Sequence, residues 1–265
     1  MTFPAVKRVI YQKNPLKEVI CQLRFPPILK IDTELPAMFQ ERIRKDYPNF
    51  TEIPDFRVEI PLPIQRQIPP DLLEKMLSPQ LDTKNYVFST SDESWQVNLT
   101  RSFLALTARQ YRRREDYIQR LDGPLSALIE LYQPAHFSRI GLRYIDVISR
   151  KDLGLEAEPW SELLMPQVLG ILGDEHVGSS VLDFQSRFVS QLDDNVSVAK
   201  VVTGIEEGDS NGLSFRIDSD FFTESNIPVE DVNDKLNYLA SQGSRLFRWC
   251  ITEKLHEALM PGEPI

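Results

Sequence analysis

Apolar residues in this chain switch from a period of two to a period of three or four, and do so twice in the same order; that double pass constrains the fold more than any other feature. Residues 18–25 (EVICQLRF) alternate, with Val19, Cys21, Leu23 and Phe25 on one side, until Pro26-Pro27 ends the run. Over 34–47, Leu35, Met38, Phe39, Ile43 and Tyr47 recur at helical spacing, with Thr33 placed to cap and Pro36 in the first turn. Residues 56–60 alternate again, a proline-rich connection through Pro61, Pro63, Pro69 and Pro70 follows, and a short helix is expected over 71–77. Three runs, 86–90, 95–100 and 103–111, are separated by turn residues at the spacing of an antiparallel meander. A helix over 115–132 closes the first pass, with Gly123-Pro124 marking an expected kink.

The second pass repeats the order. A strand is expected over 136–148, a helix over 159–172, strands over 184–192, 197–203 and 213–217, and a last helix over 229–259 that Pro261 stops. Asp193-Asp194-Asn195 and residues 208–212 supply the turns. Gly243 weakens the last helix by roughly 1 kcal/mol relative to Ala. The expected class is α+β: two tandem β-α-β(3-4)-α halves, 1–135 and 136–265, packed as one structural unit. Their antiparallel sheets need one face covered, and the long helices supply the cover. The element order is similar to that of TATA-binding-protein-like and helix-grip folds, a likeness that carries no function.

Three stretches resemble the hallmarks of a sporadically distributed bacterial family of about this length whose function is unassigned: residues 14–29 (NPLKEVICQLRFPPIL), 139–148 (RIGLRYIDVI) and 247–255 (FRWCITEKL). The resemblance runs end to end. It implies a full-length single unit and a place in mobile-element, toxin-antitoxin or phage-defence loci, and it brings no catalytic residues.

Composition narrows the class. Hydrophobic residues at 42% and charged residues at 26% are the mix of an ordinary folded chain. The two cysteines, Cys21 and Cys250, each fall within an apolar run, which points to buried thiols and a reducing compartment. No signal peptide or spanning segment is read, so a cytoplasmic location and no membrane partner are expected. The net charge of −9 is unevenly spread: residues 1–150 carry 22 Lys+Arg against 18 Asp+Glu, and residues 151–265 carry 8 against 21. Nets of +4 and −13 leave open either a solvated acidic surface in one half or an electropositive site in the other.

No catalytic or metal constellation is read. His136, His176 and His256 lack metal-binding spacing, the loop 170–178 holds no phosphate-cradle motif, and Gly-x-Ser-x-Gly is absent. Asp218 and Asp220 share a strand face and suit a hard cation, although turn chemistry is the plainer reading. No cofactor is expected. The candidate binding residues are Arg109, Arg112, Arg113 and Arg114, at the end of a strand and the start of a helix, with Arg139 and Arg143 on a returning strand. Arg139 and Arg143 lie opposite Ile140, Leu142 and Tyr144, flank Gly141, and form a shallow positive patch. Either they pair with second-half acids and hold the halves together, or they bind phosphate groups or an acidic surface. The preferred function is a non-catalytic binding or regulatory protein recognising another macromolecule, an antitoxin-like or phage-defence accessory component with a protein partner. The alternatives are a nucleic-acid or nucleotide binder using the first-half arginines, and an enzyme with a dispersed acid-base site under the long helices.

Overall fold

Among the described residues the alternating runs pair into one antiparallel sheet of nine strands. A computed structural model describes residues 2–54, 84–207 and 212–263. The expected strand at 56–60, the proline-rich connection, the helix at 71–77 and most of the 208–212 turn lie outside the described residues. In chain order the strands are β1 (Ile10–Tyr11), β2 (Leu16–Arg24), β3 (Asn49–Pro54), β4 (Lys84–Ser89), β5 (Trp95–Thr100), β6 (Phe103–Ala108), β7 (Arg139–Ser149), β8 (Gln185–Gln191), β9 (Ser197–Glu207), β10 (Leu213–Thr223) and β11 (Pro261–Gly262). The large sheet runs β3-β4-β5-β6-β2-β7-β10-β9-β8, and β1 pairs separately with β11. The opening strands of the two passes, β2 and β7, therefore lie side by side at the centre, and each meander steps outward from them. Strand β3 escapes the sequence reading because all six of its residues are exposed and no apolar side marks it.

One face of the sheet is apolar. Val19, Cys21 and Leu23 of β2, Leu104 and Leu106 of β6, Ile140 and Leu142 of β7, and Phe215, Ile217 and Phe221 of β10 are buried there. Two nineteen-residue helices, Arg114–Tyr132 and Val232–Cys250, cover it. The first is continuous through Pro124 and buries Tyr117, Leu121, Leu125 and Leu128; the second buries Leu236, Leu239, Leu246 and Cys250. Burying these stripes supplies most of the helices' stability, since propensity alone holds an isolated helix of this length only marginally.

Tyr117 fastens the first helix to the sheet. Its hydroxyl accepts from the Cys21 amide at 2.7 Å and donates to the Leu106 carbonyl at 2.6 Å, and Cys21 and Leu106 are cross-strand partners of β2 and β6. The hydroxyl thus stands between two backbone groups that have no water to fall back on. Tyr117→Phe is expected to cost about 1–3 kcal/mol by leaving them unpaired, read as a lower urea midpoint; an unchanged midpoint would contradict this role.

Helices differ from the sequence expectation where proline or a polar residue interrupts the period. The helix expected over 34–47 is two short pieces, Lys30–Thr33 and Ala37–Ile43, with Pro36 at the N-cap of the second. Phe39, Ile43 and Tyr47 are buried, but Leu35 and Met38 are more than 60% exposed at 64% and 62%. The helix expected over 159–172 breaks at Met165-Pro166 into Trp160–Leu163, Pro166–Leu169 and a 3-10 turn. The last helix stops at Cys250, because Ile251 bridges to Leu164 and Thr252 caps a new helix, Glu253–Ala258, by accepting from the Leu255 amide. Gly243 is a packing requirement as well as a weak point: a Cβ there would meet the Tyr144 ring at 2.7 Å.

Candidate ligand cavity at the helix seam

Where the N-terminal segment, the start of the first long helix and the middle of the second converge over β2 and β7, they enclose a cavity of about 250 Å³. Its charge is one-sided. The N-terminal segment contributes Lys7 and Arg8, the approach to the first helix Arg112, Arg113 and Arg114, and the second helix Arg245 and Arg248; Asp146 is the single acidic residue of the wall among the described residues. The rim arginines Arg8 and Arg113 are held by Glu115 and Asp116. Arg114 donates to Asn237 and Arg248 pairs with Glu253. Arg112 and Arg245 form no ion pair among the described residues. Arg113 also occupies the N-cap of the 19-residue helix without capping it by its side chain, and Glu115 and Asp116 in the first turn complement the helix dipole there.

Asp146 forms the opposite pole. It is 4% exposed, it makes no hydrogen bond or ion pair among the described residues, and burial alone pushes its carboxyl up from the usual carboxylate range to about 8. Strand alternation puts it on the covered face with Ile140, Leu142 and Tyr144. It stands opposite Leu16 of β2 and Ile217 of β10, beside an irregularity in β2 between Leu16 and Glu18. Asn14 fixes that turn, its amide donating to the Tyr111 carbonyl and its oxygen accepting from the Leu16 amide. Around Asp146, burial also holds the Tyr11 hydroxyl up to about 12, the Tyr144 hydroxyl well above its ordinary value, and the Cys250 thiol up. All three are neutral near pH 7. Tyr11, Tyr111, Tyr144 and Phe247 give the wall its aromatic character, and Tyr11 is steadied by His256 Nδ1 at 2.8 Å and by edge-on packing with Phe247.

Of the candidate residues, Arg112, Arg113 and Arg114 come together at this cavity, and the other three do not. Arg109 turns to Glu18 at 3.5 Å and the Glu93 carbonyl. Arg139 and Arg143 lie on the face of the sheet away from the helices, and they form no joint positive patch with the helix-start arginines. β10 sets Asp218 and Asp220 against them: Arg139 grips Asp220 at 2.8 and 3.0 Å, and Arg143 grips Asp218 at 2.6 and 2.7 Å. Those acids belong to the same pass as the arginines. These two ion pairs therefore do not join the halves; Arg139 reaches across the seam to Gln22 at 3.3 Å. The space beside Gly141, read as open, is filled by the Arg139 guanidinium, 2.3 Å from where a Cβ would stand. The same pairing occupies the carboxylates that suited a cation. No group of three or more His, Cys, Asp or Glu among the described residues has metal-binding geometry, and no helix among them is long and apolar enough to cross a membrane.

A larger groove of about 570 Å³ sits between the meander and the first long helix, but its charges balance, with Arg42, Arg112 and Arg120 facing Asp46, Asp92 and Asp116. Asp92 is already engaged by Thr90 and Ser94. The seam cavity, one-sided at its rim and carrying a single unpartnered acid, is the stronger site. Neither a scan against protein-family models nor a search of curated proteins finds a match to the chain.

Proposed function

We propose that the chain is a non-catalytic binding protein and that the seam cavity is its ligand site, taking a small phosphate-bearing molecule. The observation that carries this reading is that three arginines of the wall, Arg112, Arg114 and Arg245, form no ion pair among the described residues, whereas Lys7, Arg8, Arg113 and Arg248 are paired with Glu263, Glu115, Asp116 and Glu253. Arginine forks suit phosphate oxygens, and the rim supplies them. The strand order supports a further part of the reading: the fold is a tandem duplication, 1–135 and 136–265, of the TATA-binding-protein-like or helix-grip-like plan, with the site at the join where the two copies cease to be equivalent.

The test is titration calorimetry with nucleoside mono-, di- and triphosphates. Binding is expected to weaken between 50 and 200 mM salt, and Arg112→Ala with Arg245→Ala is expected to weaken it roughly tenfold or more with little change in melting temperature. No heat with any of these probes, or binding indifferent to both substitutions, would overturn the reading.

A protein partner, in the antitoxin-like or phage-defence role that the resemblance implies, is the second reading. Its support is the Arg143–Asp218–Arg216 cluster on the sheet face opposite the helices, where Arg143 is 43% exposed. Copurification of one stoichiometric partner that is lost on charge reversal at Arg143 tests it.

A further inference from the structure

We propose that the molecule bound in the seam cavity is a guanine nucleotide, its base edge on Asp146 and its phosphate on the arginine rim. This rests on the reading of the cavity as an anion site and adds the chemistry of the other end.

The cavity is bipolar. Its cations belong to the N-terminal segment and to the two helices that form the rim, whereas Asp146 rises from β7. No cation counts among the causes that move its carboxyl, so the rim does not neutralise it. A carboxyl group that is 4% exposed and pairs with no described protein group opens to the cavity, where water or a bound donor meets it. What meets it must donate. A carboxylate accepts through two oxygens side by side, and the group that matches both at once is a planar edge with two adjacent N–H donors. Among the common nucleobases guanine presents that edge, through N1–H and the 2-amino group; adenine, cytosine and uracil each present one donor group with an acceptor, not a second donor, beside it. Tyr11, Tyr111, Tyr144 and Phe247 supply flat faces against which a purine stacks. The volume of about 250 Å³ suits a single nucleotide and excludes a folded oligonucleotide.

The proton accounting follows. The free protein holds Asp146 protonated near neutrality. A neutral guanine with two donors requires the ionised carboxylate, so binding sends that proton to solvent while the base keeps its own. The titratable neighbours from each surrounding element, Tyr11 from β1, Tyr144 from β7 and Cys250 from the second long helix, stay neutral and do not take it. Arg114 lies within electrostatic reach of Tyr144, and Arg248 of Tyr11.

Calorimetry with GMP, IMP and AMP at pH 7, in two buffers of different ionisation enthalpy, tests this. GMP is expected to bind with release of close to one proton, and IMP, which lacks the 2-amino donor, roughly tenfold or more weaker. Asp146→Asn, which keeps the shape and removes the charge, should erase the preference and the proton release together. Equal affinity for GMP and IMP, a preference that survives Asp146→Asn, or an absence of proton release would each overturn the base assignment. If, in those cases, binding still fails in Arg112→Ala/Arg245→Ala, the anion site stands without it; if no nucleotide binds the wild type, both readings fall.

Discussion

Asp146→Asn is expected to raise the melting temperature by about 10 °C more at pH 8 than at pH 5. The folded carboxyl ionises near 8 because burial penalises its charge, whereas in the unfolded chain it ionises near 3.9. Below about pH 4 the group is neutral in both states and stability is unaffected. Between about 4 and 8 the unfolded chain gives up the proton and the folded chain keeps it, so stability falls with rising pH by about 1.4 kcal/mol per unit. Above about 8 both states are ionised and the loss levels off. Over the three units from pH 5 to pH 8 this amounts to roughly 4 kcal/mol, and at about 2–4 °C per kcal/mol for a chain of this size it yields the stated shift. Asparagine keeps the amide's demand for partners but removes the ionisation, so the variant should lack this slope. The nearby Tyr11, Tyr144, Cys250 and His256 are common to both proteins and cancel in the difference. Thermal melts of both proteins at half-unit pH steps decide it: parallel profiles would mean that Asp146 has a partner or reaches water, and the cavity would lose its one unexplained acid. A substitution that stabilises the fold while abolishing ligand discrimination is the signature of a residue kept for binding.

The position of Asp146 is legible in residues 139–148. The parity that set Arg139 and Arg143 opposite Ile140, Leu142 and Tyr144 also sets Asp146 on the apolar side, where a lone acid is anomalous in a covered strand. A charge cluster such as the arginine run stands out in a linear text, whereas an odd residue on a buried face shows only once the faces are assigned. Strands β2, β4, β5, β7, β9 and β10 are readable because apolar residues alternate along much of their length; β6 is buried along its whole length and is marked instead by the turn residues beside it. Strand β3, exposed on both sides at the edge, offered no such signal. Helix continuity failed at Pro36 and Pro166, where period was allowed to outweigh the proline. The fate of Arg139 and Arg143 depended on register: that Asp220 lies opposite Arg143 and Asp218 opposite Ile145 follows from strand pairing, which a single sequence does not specify. The convergence of 6–11 with 240–248 is likewise a tertiary fact, since the pairing of β1 with β11 closes nearly the whole length of the chain.

That register also separates two arginines which the sequence treats alike. The Arg139 side chain is 10% exposed, grips Asp220 with two hydrogen bonds and stacks over the Phe222 ring at 4.7 Å. Asp220→Ala therefore leaves a guanidinium buried against an aromatic ring with its main acceptor gone. A loss of about 3 kcal/mol is expected, the lower end for a broken buried pair because Asp220 is itself a quarter exposed. Adding Arg139→Met should recover much of that loss, since it removes the orphaned charge and keeps an apolar side chain of similar reach over Phe222. Arg143 is 43% exposed, and its acceptor Asp218 keeps a second partner in Arg216 at 3.1 Å. Arg143→Ala should cost under about 1 kcal/mol, the range of a solvent-screened pair. Urea midpoints for the four proteins give the comparison directly. Equal losses for Asp220→Ala and Arg143→Ala, or a double variant weaker than Asp220→Ala alone, would show that burial does not govern these pairs and that both arginines act as surface charges open to a partner.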